Sequence, residues 1–138
     1  MKYSKILVIW MSVVFCIVLQ ASASHSAASD SGKGYSIEDF KLHTASDLVD
    51  VCTLQASHAD YTLAIAFCYG FFEGATHYDD AIARSPAHPD LVCTPPEATR
   101  TQAVTVFVEY MNANPQYGSE QPIDAIFRAL VDQWPCIK

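Results

Sequence analysis

Residues 61–84, YTLAIAFCYGFFEGATHYDDAIAR, decide the fold. Ala64, Cys68, Phe71, Ala75, Tyr78 and Ile82 recur at alternating steps of four and three. That is the spacing of one buried helical face, and Phe67 and Phe72 widen the stripe. The spacing predicts a helix ending at Ala83 or Arg84, ahead of Pro86. Upstream, Ser57-His58-Ala59-Asp60 reads as a turn, with Asp60 or Ser57 placed to accept the orphan N–H groups of the helix that follows.

Working outward, Ser46-Asp47 offers the start of a short first helix with Leu48, Val49 and Cys52 on its apolar face. Before it, Ser36 to Asp39 can cap a short helical turn. Beyond the long helix, Ser85 to Leu91 carries Pro86 and Pro89 and reads as a loop. Thr94-Pro95-Pro96-Glu97 then has the form of a capping box with proline at the first helical position, opening a third helix. Thr99, Ala103, Val106, Phe107, Tyr110 and Met111 form its main apolar face, Val104 and Val108 flank it, and so broad a stripe predicts a central position. Asn112 to Gln121, with Pro115 and Gly118, turns the chain back. A last helix opens at Pro122 with Ile123, Ile126, Phe127, Leu130 and Trp134 toward the core, and Pro135 stops it. The fold class is therefore all-α, a small bundle of about four helices forming two hairpins.

The N-terminus reads as an export signal. Lys2 and Lys5 precede an apolar run from Ile6 to Leu19, and Ala21-Ser22-Ala23 supplies the small residues that a signal peptidase accepts. The run is shorter than the roughly 20 residues that span a bilayer. Cleavage after Ala23 removes Cys16, whose neighbour Phe15 is too large for a lipid-attachment site. The 115 residues that remain suit one domain. Residues 24–34, SHSAASDSGKG, lack the apolar side chains that would offset the entropy of ordering them, so the single domain is expected over residues 35–138. The chain from residue 24 onward keeps six Lys and Arg against fifteen Asp and Glu, a formal charge of −9, compared with −7 for the whole chain. Nucleic acid and anionic lipid are poor partners for such a surface, and a basic protein surface is a suitable one.

Four cysteines stay behind: Cys52, Cys68, Cys93 and Cys136. In an exported chain they read as two disulfides, and the absence of a Cys-x-x-Cys or His-x-x-x-His clip argues against zinc. Residues equidistant from a hairpin turn face each other. The midpoint of Cys52 and Cys68 is position 60, in the first turn, and that of Cys93 and Cys136 falls between Asn114 and Pro115, at the edge of the turn between the last two helices. The expected pairs are thus Cys52–Cys68 and Cys93–Cys136.

Candidate chemistry is sparse. Glu73 and His77 stand one helical turn apart, with Asp79 and Asp80 beyond and His88 in the next loop, but the set reads first as a solvated helix face. Neither a Gly-x-Ser-x-Gly elbow nor a phosphate-binding glycine loop occurs. The chain reads as a non-enzyme that needs no cofactor or metal. Ala66, Gly70 and Gly74 form a ridge of small side chains along the long helix. Because glycine costs a helix about 1 kcal/mol relative to alanine, the ridge asks for a reason, either tight packing inside the monomer or a dimer interface.

FCYGFFEGA (67–75), LVCTPPEATRTQAVTVFVEYMNANP (91–115) and PIDAIFRALVDQWPC (122–136) together resemble the Rap/Tai-type immunity proteins associated with type VI secretion amidase effectors. The order and spacing of the cysteines, the Cys-Thr-Pro step, the Tyr-x-x-x-Asn-Pro helix end and the terminal Pro-Cys carry the resemblance, over residues 46–136. It implies a periplasmic protein that binds and blocks a peptidoglycan amidase delivered by a rival or sister cell, a tendency to form homodimers, and an HdeA-like helical fold. Rigid scaffolds present exposed polar loops at low entropic cost on binding. His77 to Asp90, with Tyr78, Asp79, Asp80 and His88, is accordingly the first candidate for the inhibitory contact, and Asn114 to Gln121 the second. The HdeA-like architecture leaves a periplasmic acid-stress chaperone as the alternative, since protonating fifteen carboxylates would swing the charge far toward positive.

Overall fold

The computed structural model describes residues 34–85 and 87–136. The expected leader with Cys16, and the tail apart from Gly34, lie outside the described residues. All regular structure among the described residues is helical: a 3₁₀ turn at Ile37–Lys41, α1 (Ala45–Cys52), α2 (Tyr61–Ala83), α3 (Arg100–Ala113), a second 3₁₀ turn at Pro115–Tyr117, and α4 (Pro122–Gln133).

The shortest α-helix holds the centre. α1 packs against the first 3₁₀ turn and against α2, α3 and α4, and its Leu48 and Val51 are fully buried. Its N-cap is Thr44, two residues before Ser46, because Asp47 completes a capping box with Thr44. The Asp47 N–H donates to Thr44 Oγ1 at 3.3 Å, and the Thr44 N–H donates to Asp47 Oδ2 at 2.9 Å.

α2 runs from Tyr61 to Ala83, but its buried line is Ala64, Cys68, Phe72, Ala75 and Asp79. Phe71 is only half-buried, and Tyr78 is 66% exposed. The helix is apolar around nearly its whole circumference, so spacing alone leaves its rotation open. Two contacts set it: the Cys68 tie to Cys52 and the edge-on contact of Phe72 with Phe107, with ring centroids 5.5 Å apart. The Asp60 side chain does not cap the helix; its Oδ2 accepts the Tyr35 hydroxyl at 3.2 Å.

α3 starts at Arg100, after the expected Thr94 start. Its capping box is Thr99 with Gln102, which accepts the Thr99 N–H at 2.7 Å and whose own N–H donates to Thr99 Oγ1 at 3.2 Å. Two capping boxes compete here, and tethering decides between them. The Cys93 N–H donates to the Trp134 carbonyl at 3.0 Å and its sulfur is bonded to Cys136, so the Pro95–Ala98 turn spans the gap before a helix can begin. Val104, expected at the side of α3, is buried with Phe107 and Met111. On α4 the core line is Ala125, Ile126, Ala129 and Leu130, whereas Ile123 turns outward at 37% exposure.

Both disulfides match the spacing about the turns. Cys52–Cys68 joins the end of α1 to α2 with Cα atoms 5.3 Å apart. Cys93–Cys136, at 4.9 Å, lies outside the helices and closes the open end of the α3–α4 hairpin.

Candidate partner-binding site

The C-terminal end of α2 and the loop after it carry the first candidate. His77, Tyr78 and Asp80 point to solvent, and residues 87–91 are exposed throughout, His88 among them. Asp79 does not join them. It is 6% exposed, and its Oδ2 accepts the Leu91 N–H at 3.3 Å, pinning the returning chain to the helix. Burial pushes its carboxyl above the ordinary aspartate value, Asp90 and Asp80 add to the rise, and the Leu91 and Val92 N–H groups oppose it. The sequence therefore grouped five residues that the fold divides into four on the surface and one latch beneath them.

Within the loop the hydrogen bonds are local. The Ser85 N–H donates to the Ile82 carbonyl at 3.0 Å, and the His88 N–H to the Ser85 carbonyl at 2.9 Å. Beside it, His77 Nε2 lies 3.1 Å from Glu73 Oε1 and His77 Nδ1 3.8 Å from Asp80 Oδ2, while Arg100 approaches Glu73 at 3.6 Å. Arg100 also stands over the Tyr69 ring, 5.4 Å from its centroid. This is a hydrated polar network, and no group of three or more His, Cys, Asp or Glu among the described residues has the arrangement of a metal site.

The second candidate, Asn114 to Gln121, is a brace. The Ala45 N–H donates to the Glu120 carbonyl at 2.8 Å and the Ser46 N–H to the Gly118 carbonyl at 3.0 Å, so this loop satisfies the open N-terminus of α1. Glu120 holds Arg128 through both carboxylate oxygens, at 2.9 and 3.1 Å. Arg128 lies 4.3 Å over the Tyr117 ring, which stacks on Tyr110. Gly118 is required by close approach: a Cβ there would come within 2.5 Å of Ser46 Oγ.

The ridge of Ala66, Gly70 and Gly74 faces outward, and a Cβ at either glycine would meet nothing within 4 Å. Packing inside the monomer does not account for it. Reading the sequence also missed an outward apolar line. Ile123, Phe127 and Val131 recur every four residues on α4, which the core-facing reading of Ile123 and Phe127 obscured. Phe127 and Val131, with Leu91 and Pro135, line a groove of about 930 Å³ bordered by Asp124 and Asp132.

Residues 44–136 match the family model of the Rap1a immunity proteins. No curated protein and no solved structure matches the chain.

Proposed function

We propose, because the chain belongs to the Rap1a immunity protein family, that it acts in the periplasm by binding and inhibiting a peptidoglycan amidase delivered through type VI secretion. The family match over the whole bundle carries this reading. Two disulfides fit an oxidising compartment outside the cytoplasm. Among the described residues no helix is long and apolar enough to cross a membrane. Residues 1–23 act as the cleaved export signal and the chain from residue 35 onward as the inhibitory domain.

His77, Tyr78 and Asp80 on the last turns of α2 and His88 on the loop after it make the contact with the amidase, and that loop is fixed at its two ends by α2 and by the Asp79–Leu91 and Cys93–Cys136 links. A rigidly footed loop loses little entropy on binding. The outward ridge of α2 serves a second copy of the chain, whose helix backbone approaches closely over Ala66, Gly70 and Gly74. No cofactor enters this scheme.

The test is co-expression with a periplasm-directed amidase encoded beside the gene. The intact chain restores growth and co-purifies with the enzyme. Tyr78→Ala combined with Asp80→Lys weakens the complex at least tenfold without lowering the melting temperature. Lysis in the presence of the intact chain, with no complex formed, overturns the reading.

A further inference from the structure

α4 carries two apolar faces. One, with Ile126 and Leu130, is buried in the core; the other, with Phe127 and Val131, is met by Leu91 and Pro135 and left open as a groove. Val131 is 38% and Leu91 48% exposed. Clustered apolar surface of this kind is costly to leave in water and marks an interaction site more often than scattered single residues do.

The charge along its edge is selective. Arg128, the cation bordering the groove, is held by Glu120 and covered by Tyr117. Asp124 and Asp132 have no ion-pair partner among the described residues, so the charge offered to a ligand is negative. Eight residues apart on one helix, they stand about 12 Å from each other along its axis. A second copy of this acidic chain would bring mostly like charge to this edge.

We infer that the groove docks a segment of a different protein, one that presents apolar side chains between two lysines or arginines spaced about 12 Å apart. This is seven or eight residues on a helix, or about four on a strand. The inference rests on the immunity reading in taking the amidase as the protein that supplies the segment, and it adds a contact separate from the loop after α2.

Two measurements test it. The ¹⁵N-labelled protein is titrated with a 15-residue helical peptide bearing one leucine face flanked by lysines seven residues apart, and with the same peptide carrying glutamates there. The expected result is amide shifts gathered at Leu91 and residues 124–135, at least tenfold tighter binding of the lysine peptide, and reversal of that preference in Asp124→Lys/Asp132→Lys. Equal binding of the two peptides, no binding, or shifts centred on the outer face of α2 overturns the groove. In the second measurement, the same double variant binds the amidase at least tenfold more weakly at an unchanged melting temperature, and unchanged affinity overturns the groove as an amidase contact. If the intact chain binds no amidase the immunity reading fails, and the peptide titration still decides the groove.

Discussion

The loops that follow the second and third helices differ in what their backbones do. Residues 114–121 spend their carbonyls on the N-terminus of α1 and their side chains on Arg128 and Tyr110, so the loop is part of the framework. Residues 84–91 bond chiefly to themselves and reach the body through the Asp79–Leu91 hydrogen bond and, just beyond, the Cys93 tether. Both sequences contain proline and polar residues, yet one loop holds the bundle together and the other is held out by it. A segment whose polar backbone is already paired to the core has little to offer a partner. The loop after α2 is therefore the one we propose for the contact.

The largest expected effect comes from cutting the tether that makes the outer loop rigid. Cys93→Ser/Cys136→Ser opens a crosslink spanning 43 residues in sequence, which in the chain-entropy picture costs about 4 kcal/mol. Denaturant titration checks the cost. Hydrogen exchange at residues 87–93 is expected to accelerate far more than at 115–120, and equal acceleration in the two loops would break the contrast. Next is Tyr117→Ala, which removes the ring beneath Arg128 and its stack on Tyr110. The two contacts together are worth about 2 kcal/mol. Replacing residues 87–90 by Gly-Ser-Gly-Ser, all of them exposed, is expected to change stability by no more than about 0.5 kcal/mol. Gly118→Ala, a single methyl on the framework loop, is expected to cost more than that whole replacement, about 1 kcal/mol from crowding Ser46 Oγ. Ser46→Ala in the same chain relieves that loss if the hydroxyl is what the new methyl meets.

The sequence made the scaffold legible where one constraint acts alone. The cysteine pairs follow from their distances to the turns, because an antiparallel hairpin has one way to align. Where two constraints compete, the local pattern misleads. Thr94-Pro95-Pro96-Glu97 is a sound helix start in isolation, but Cys93 is bound to Cys136 just beyond α4, and Thr99 with Gln102 takes the cap. The even apolarity of α2 hides its rotation, so the spacing turns Tyr78 inward and leaves Asp79 outward. Only the tertiary contacts of Phe72 and Cys68 correct both together.

Asp79 allows the finest test of the comparison, since it links the outer loop to the core by a titratable group. Its carboxyl is raised by burial first, so the folded protein holds the proton more tightly than the unfolded chain does. The stability this group contributes is therefore fully present below its unfolded pKa and is lost as pH rises through its folded pKa. Asp79→Asn keeps an oxygen to accept the Leu91 N–H and removes the charge. Thermal melts from acid to neutral pH are expected to place the variant and the parent close together in acid, with the variant gaining steadily as pH rises. A variant that instead falls behind toward neutrality would mean that the N–H groups of Leu91 and Val92 outweigh burial and the neighbouring Asp80 and Asp90. The loop would then be fastened by an ionic latch, and its rigidity would fail in acid. With burial the dominant cause, the latch is expected to hold through acid and to be weakest near neutrality, where the buried carboxylate is charged.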